Sequence, residues 1–219
     1  MGGAQTVTGS KSLIEADGKK ILIDSGLFQG LKHLRRLNRD DFPVDPASIE
    51  CVILTHAHLD HCGCIPVLVK NGFKGKIYCT LPTKELTEII LKDSGKIQEE
   101  DANRANKYGY SSHTEAKPLY TVADALAVNN HFSTHNYEEW VFITPNIKFQ
   151  FLNAGHILGS AMVQLKIHDK TIVFSGDIGR KDPLLLYPPK KIKSADYLVL
   201  ESTYGDREHD EMDLKKSYF

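Results

Sequence analysis

The sequence has no long run of apolar residues. No stretch approaches the roughly 18 consecutive apolar residues of a membrane-spanning helix. The first five residues, MGGAQ, lack the basic start and apolar middle of a secretory signal. There are also no internal repeats and no low-complexity segments, which excludes a solenoid. These absences predict a globular protein of the cytoplasm that makes no contact with a membrane.

The sequence also has few cysteines and no excess of charge of one sign. The 219 residues include only 4 cysteines, too few and too irregularly spaced for a disulfide scaffold. Two of them form Cys62-Gly63-Cys64, which we interpret as small residues packed at a helix start, with a thiolate metal pair as the alternative. The formal net charge of −1 gives no general signature of nucleic-acid binding. With 41% apolar residues, the chain can build the core of one large domain or two small ones.

The most informative stretch is HAHLDH at residues 56–61, where three histidines and one aspartate fall within six positions. It follows the apolar residues 51–55, which predict a buried strand. Imidazole nitrogens and carboxylate oxygens are ligands that zinc and similar divalent cations prefer. We interpret the hexapeptide as a metal-binding loop at a strand end, with a solvated turn as the alternative.

The pattern around this stretch indicates a βαβ unit. Residues 65–70 predict a short helix ended by Asn71-Gly72, and residues 76–80 predict the next strand. Such a unit places the loop after its first strand in the crevice where α/β sheets bind their ligands.

Helical spacing of apolar residues continues beyond this unit. It predicts a long helix from residue 82 to about 107 with Thr83 as N-cap, and a short helix over 122–128. Near the N-terminus, Asp17-Gly18 separates two apolar runs at 12–16 and 20–24 and predicts a hairpin.

Polar residues also follow other predicted strands. These strands cover 20–23, 147–152, 170–174 and 197–200, and the polar residues after them are Asp24, His156, Asp177 and Glu201. Glycines flank His156 and allow close backbone approach. For Asp24 a solvated turn and a functional role are equally compatible with the local sequence. The repeated placement predicts that the strand ends gather these groups at one edge of the fold.

Together these motifs resemble the metallo-β-lactamase fold superfamily, and more narrowly its β-CASP branch of nucleic-acid-processing nucleases. The pattern HxHxDH matches at 56–61. The motifs LIDSG, AGHILGSA and FSGDIG supply, in order, Asp24, His156 and Asp177. Glu201 in LESTYG is similar to the acidic residue that opens the β-CASP insertion. The resemblance covers most of residues 1–208, and it includes a helical segment at 91–102.

The resemblance implies a phosphodiesterase that cleaves RNA with two zinc ions. The implied ligands are His56, His58 and His156 for one ion, Asp60 and His61 for the other, and Asp177 as the bridge between them. A hydroxide between two cations is a strong nucleophile at neutral pH, and the cations stabilise the charge that develops on phosphorus. Asp60 would also orient this hydroxide, and Glu201 would orient a histidine that transfers protons. Asp24 would support the ligand loop through hydrogen bonds rather than bind metal.

The end of the sequence departs from the family pattern. β-CASP nucleases continue with an inserted domain and then return to a last metal-binding histidine, which this sequence lacks. We therefore predict a metallo-β-lactamase domain at 1–200 and the truncated start of a β-CASP insertion at 201–219. His209, in charged surroundings, is interpreted as solvated. The chain would then be an N-terminal portion of a longer nuclease, with a first metal site more complete than the second, and the activity of the isolated chain is left open.

The expected fold class is α/β, an αββα sandwich that is incomplete at the C-terminus. The N-terminal hairpin and the later strands would pack face to face with helices outside. An incomplete second sheet would expose an apolar edge, so we expect the isolated chain to form a homodimer. Two alternatives to the nuclease stay open: a non-catalytic, metal-stabilised binding or scaffold protein of the same fold, and a small-molecule metallohydrolase. The choice of RNA over DNA rests on the resemblance alone.

Overall fold

A computed structural model describes residues 1–110 and 115–206. Over these residues the chain forms two five-stranded sheets. The first sheet contains β1 (Ser12–Ala16), β2 (Lys19–Ile23), β3 (Ile49–Ile53), β4 (Lys76–Cys79) and β5 (Phe132–Thr134). The second contains β6 (Val141–Thr144), β7 (Ile147–Asn153), β8 (Ala161–Ile167), β9 (Lys170–Phe174) and β10 (Tyr197–Val199).

Along the chain, the helices come mainly between the strands of the first sheet. The α-helices are α1 (Lys32–Arg36), α2 (Leu59–Cys62), α3 (Ile65–Lys70), α4 (Leu81–Tyr108) and α5 (Val122–Ala127). Short 3₁₀ turns cover Leu37–Arg39, Pro46–Ser48 and Val128–His131. No helix of the described ranges is both long and apolar enough to cross a membrane.

Side chains alternate between the two faces of each strand, and this alternation builds two apolar cores. In β2, Ile21 and Ile23 point into the core between the two sheets, where they join Phe149 of β7. Leu22 points to the opposite face and packs in the core beneath the helices, with Leu91 of α4. This period of two explains why an almost continuously apolar strand is buried on both sides.

The topology brings the ends of several strands to one edge of the sandwich. β1 and β2 are antiparallel, and β2, β3, β4 and β5 run parallel to one another. In the second sheet β6 to β9 alternate in direction, and β10 runs parallel to β9. The carboxyl ends of β7, β9 and β10 therefore share one edge of that sheet. A hydrogen bond of 2.9 Å from Ala161 N to Thr55 O joins the two sheets there.

Much of the predicted secondary structure is confirmed. The hairpin of β1 and β2 turns at Asp17 and Gly18, which have φ values of 50° and 71°. The βαβ unit is present, since β3 and β4 are parallel and connected through α2 and α3. The interpretation of Cys62 and Cys64 as packing residues agrees with the structure, because both are buried free thiols.

Two local expectations were wrong, and two short strands were missed. The N-cap of α4 is Thr80 and not Thr83, because the Thr80 hydroxyl accepts the hydrogen bond of the Thr83 amide. Asp60 and His61 lie on the one-turn helix α2 and not in a loop. The short strands β5 and β6 were not predicted, since three or four residues carry too little periodicity.

The expected α/β fold class is confirmed, since two mixed sheets pack together with helices outside. Helices cover the outer face of the first sheet, but in the ranges 1–110 and 115–206 no helix covers the outer face of the second. Most of the predicted insertion start, including His209, lies outside the described residues.

Candidate metal centre

The ends of β3, β7 and β9 carry the four groups at the centre of the candidate site. His56 and His58 follow β3, His156 follows β7, and Asp177 follows β9. One ligand atom from each lies within 4.8 Å of the other three. These residues lie up to 121 positions apart in the sequence. The fold brings them together because the strands that they follow end at the same edge.

The nitrogen atoms of the three histidines converge on one point. His58 Nδ1 lies 3.1 Å from His56 Nε2 and 3.2 Å from His156 Nε2. Asp177 Oδ2 lies 3.6 Å from His56 Nε2 and 3.5 Å from His156 Nε2. His56 is fully buried, whereas the other three side chains are partly exposed, so the point they surround is open on one side.

These distances fit a divalent cation of the size and preference of zinc. Ligand atoms at zinc distances of about 2.0–2.1 Å in a tetrahedron are about 3.3 Å apart. Four of the six separations here are 3.1–3.6 Å, and all six are within 4.8 Å. Three neutral imidazoles and one carboxylate are also a donor set that suits zinc. The residues present therefore fit the metal that the resemblance implies.

A second cluster lies on the other side of Asp177. Asp177 Oδ1 is 3.2 Å from His61 Nε2, so one oxygen of this carboxylate faces His61 and the other faces His56 and His156. Asp60 Oδ2 lies 3.8 Å from the same His61 nitrogen. Among the described residues, only the first cluster has at least three ligand atoms within mutual reach. The structure thus brings Asp60, His61 and Asp177 together as a smaller group than the first.

Asp24 supports this smaller group from beneath. The residue is 2% exposed, and its Oδ2 lies 2.7 Å from His61 Nδ1. The Thr55 amide donates to Oδ1 and the Thr55 hydroxyl to Oδ2, both at 2.8 Å. These contacts correspond to the supporting role that the resemblance implied and leave the His61 Nε2 atom facing the centre.

The loop that carries His156 is shaped by two glycines and a serine. Gly155 and Gly159 have φ values of 66° and 82°, a region that favours glycine. The Ser160 hydroxyl accepts hydrogen bonds from the His156 and Ile157 amides at 3.0 and 3.2 Å. This hydroxyl closes the loop and holds the His156 ring against the centre.

Glu201 holds the loop of Asp177 through the backbone. Its Oε1 accepts a hydrogen bond of 2.6 Å from the Ile178 amide, and its own amide donates to Ser175 Oγ at 2.9 Å. None of the histidines in the described ranges is its hydrogen-bond partner. The role of Glu201 in orienting a proton-transferring histidine stays a prediction.

Burial and neighbouring charges shift the pKa values of the site residues in opposite directions. Burial lowers the pKa values of His56 and His156. Burial also opposes charge on His61, but the carboxylates of Asp24 and Asp177 outweigh it and raise the pKa of His61 to about 10. Burial would raise the pKa of Asp177, yet the neighbouring imidazole rings of His56 and His61 hold that pKa well below its usual range. Without metal, His56 and His156 therefore favour the neutral form, whereas His61 is charged beside the carboxylates of Asp24 and Asp177.

A cavity of 380 Å³ opens beside the smaller cluster. Its walls include Asp24, His61, Asp177 and Glu201 on one side and the N-terminal residues 2–8 on the other. The cavity provides space for a molecule next to the carboxylates and the histidine of this cluster.

Three hydroxyl groups of the site were not predicted from the sequence. They belong to Thr55, Ser160 and Ser175, and each contacts the backbone or side chain of a candidate ligand loop. Thr55 directly precedes HAHLDH, so its place at the strand end was a usable signal. Ser160 and Ser175 had no local signal, since serine beside glycine is common in any turn.

Comparison with known proteins places the chain among characterised relatives. The family model described as the metallo-beta-lactamase superfamily matches residues 7–210. A ribonuclease from Thermus thermophilus is 36% identical over 95% of this chain and 44% of its own length. Cleavage and polyadenylation specificity factor 73 from Drosophila melanogaster is 32% identical over 100% of this chain and 30% of its own length.

The chain spans less than half the length of these two relatives. Among solved structures, a metallo-beta-lactamase from Cronobacter sakazakii is 18% identical, with a TM-score of 0.46 over 78% of this chain and 53% of the other. The family match covers most of the chain, and the strand-end ligand set lies within the matched residues. The chain therefore belongs to the metallo-beta-lactamase superfamily.

Proposed function

We propose that this chain carries the metal centre of an RNA-cleaving phosphodiesterase of the β-CASP branch, with zinc as the metal. The observation that carries the proposal is the convergence of three histidine nitrogens and one carboxylate oxygen at distances that suit zinc. RNA as the substrate is supported by the resemblance and by relatives whose names include ribonuclease and polyadenylation factor.

The roles of the residues follow from their positions. His56, His58 and His156 would hold one zinc ion, and Asp177 would contact both this ion and a second one held by Asp60 and His61. When bound, zinc supplies an activated water and positive charge for the phosphodiester oxygens. Asp60, which is partly exposed, would accept a hydrogen bond from that water and orient it. The side chain of Glu201 would keep the Asp177 loop in place through Ile178.

The two clusters differ in completeness, so we propose unequal zinc affinities. The first cluster offers four ligand atoms, whereas the second offers two residues besides the shared Asp177. Equilibrium dialysis followed by metal analysis should find one tightly bound zinc per chain. Two equally tight ions would contradict the proposed inequality.

The same proposal includes a cytoplasmic location for the protein, and the state of the cysteines supports it. All four cysteines are buried and free, as is usual in a reducing compartment. We also propose that β10, which is an edge strand of its sheet among the described residues, pairs with a second copy. Tyr197, Leu198 and Val199 are 48–60% exposed there, and exposed apolar edge strands favour association.

The proposed activity is tested with His58→Ala, assayed on labelled RNA and on a generic phosphodiester in the presence of zinc. We expect cleavage of RNA to fall by more than the ~100-fold that loss of a residue supporting a metal ligand costs. His33→Ala is the matched control, because His33 is exposed on α1 and has no place in the centre.

Other outcomes favour the alternative functions. Zinc binding without cleavage of either substrate by the protein as its gene encodes it would favour a binding or scaffold protein. Hydrolysis of small esters with no cleavage of RNA would favour a small-molecule metallohydrolase.

A further inference from the structure

One hydroxyl lies directly beneath the candidate metal centre. Thr55 is 1% exposed, and its Oγ1 lies 2.8 Å from Asp24 Oδ2 and 3.0 Å from His56 Nδ1. The backbone of Thr55 is fixed on both sides. Its amide donates to Asp24 Oδ1 at 2.8 Å, and its carbonyl accepts from the Ala161 amide at 2.9 Å. A third contact of the hydroxyl, with His61 Nδ1, is longer at 3.5 Å.

The hydrogen-bonding capacity of these groups determines which atom carries each proton. A threonine hydroxyl has one proton, and an ionised carboxylate can only accept. The Thr55 proton therefore goes to Asp24, which leaves the Thr55 oxygen as an acceptor toward His56. The His56 Nδ1 atom must then carry a proton, and its Nε2 atom presents a lone pair.

This lone pair points at the metal centre. His56 Nε2 is the atom that lies 3.1 Å from His58 Nδ1 and 3.6 Å from Asp177 Oδ2. The opposite tautomer would place an N–H among the ligand atoms and would leave two acceptors, Thr55 Oγ1 and His56 Nδ1, facing each other. Hydrogen bonds of this kind commonly determine which imidazole nitrogen is free to bind a metal.

We propose that Thr55 is a positioning residue that holds His56 in the tautomer protonated at Nδ1, so that Nε2 is free to bind the metal. This inference rests on the proposed metal function. The same Asp24 oxygen lies 2.7 Å from His61 Nδ1, so one carboxylate orients a histidine in each cluster, one directly and one through Thr55.

Thr55 also fills space, and the test has to separate this role from its hydrogen bonds. A Cβ placed on Gly176 would lie 3.0 Å from Thr55 Cβ, so the loop of Asp177 packs tightly on this side chain. Thr55→Val keeps the branched shape and removes the hydroxyl, whereas Thr55→Ser keeps the hydroxyl and removes a methyl group. Thr87→Val is a matched control, because Thr87 is fully buried and its Oγ1 has no hydrogen-bond partner among the described residues.

The first measurement is zinc affinity by competition with a chelator. Thr55→Val should bind zinc about 10–100-fold more weakly than the wild type, which is the usual cost of losing a partner of a metal-ligating histidine. Thr55→Ser and Thr87→Val should stay within about threefold of the wild type. Equal affinity of Thr55→Val and wild type, or an equal loss in Thr55→Ser, overturns the proposal.

The second measurement does not depend on any variant being stable. Long-range ¹H–¹⁵N spectra of the metal-free wild-type chain report which His56 nitrogen is protonated. A proton on Nδ1 is the expected result, and a neutral ring protonated at Nε2 overturns the proposal. If the wild type binds no zinc at all, the proposed metal function fails, whereas zinc binding with unchanged affinity in Thr55→Val overturns only the role of Thr55.

Discussion

Asp24 shows how a single residue can be ambiguous in the sequence and well defined in the fold. Its local motif is that of an ordinary turn, and its φ of 59° agrees with one. In the folded chain its carboxylate accepts hydrogen bonds from Thr55 and lies beside His61. Its function as a support for the ligands is therefore a property of contacts between residues 31 and 37 positions apart.

Replacing Asp24 by asparagine tests this support. Asparagine also tolerates a positive φ, but its NH₂ group cannot accept, so it cannot receive all three hydrogen bonds from the Thr55 amide, the Thr55 hydroxyl and His61. We expect zinc affinity to fall about 10–100-fold, measured by chelator competition. Asp17→Asn is the control, since Asp17 also has a positive φ of 50° but lies in an exposed turn. An equal change in both variants would contradict the role of Asp24.

The charged pair of His61 and Asp24 predicts a pH dependence of the metal-free protein. The folded-state pKa of His61, about 10, lies above the ordinary value of 6.5. The folded chain therefore retains a proton that the unfolded chain loses between these two values. The stabilisation is complete below pH 6.5 and is lost as the pH rises toward 10.

Urea unfolding of the chelator-treated protein measures this effect. The free energy of unfolding should fall with rising pH by no more than about 1.4 kcal/mol per pH unit. His61→Gln should show a shallower fall over the same interval. The same slope in both proteins would refute the assignment to His61.

At the scale of elements, the one-turn helix α2 depends on contacts from outside itself. Its backbone carbonyl groups accept hydrogen bonds from amides of distant residues: Asp60 from Ser10, His61 from Ser25 and Leu59 from Leu27, at 2.7–2.8 Å. A four-residue helix has almost no stability of its own. These bonds explain why Asp60 and His61 are helical although their sequence predicted a loop.

Gly26 allows this contact between the β2 end and α2. A Cβ at this position would lie 1.6 Å from the Asp60 carbonyl oxygen, so no side chain fits. We expect Gly26→Ala to lower the free energy of unfolding by more than about 2 kcal/mol and to weaken zinc binding, because α2 must move.

Gly30→Ala is the control for this change. Gly30 has a φ of 77° but open space at the Cβ position, so only the backbone cost of about 1 kcal/mol is expected. Chemical denaturation compares the two variants. An equal loss in both would show that the contact with α2 is not the cause.

At the scale of the whole molecule, the position of β10 at the edge of its sheet in the described ranges bears on association between chains. Leu198 in this edge strand is 57% exposed, and we expect the wild-type chain to scatter light as a dimer at micromolar concentrations. Leu198→Lys should yield monomers, since lysine discourages pairing of edge strands. Leu185→Lys, at a position 96% exposed outside the strands, should leave the dimer intact. A monomeric wild type would refute the proposed dimer.

The sequence alone determined the strands and the residues that follow them. Alternation and β-branched runs are local properties, so β2, β3, β7 and β9 were predictable, and so was the position of Asp24, His56, His156 and Asp177 at their ends. The resemblance also rested on these local motifs. Short strands such as β5 escaped, because pairing with a neighbouring strand determines them more than their own residues do.

Only the tertiary structure decided how these groups meet. It determined which nitrogen of each histidine faces the centre, that the two oxygens of Asp177 face different clusters, and that Thr55 lies beneath His56. The physical reason is the distance along the chain over which each feature is determined. A strand pattern is encoded within a few residues, whereas a ligand geometry depends on hydrogen bonds and packing between segments that the sequence separates by 31 to 121 positions.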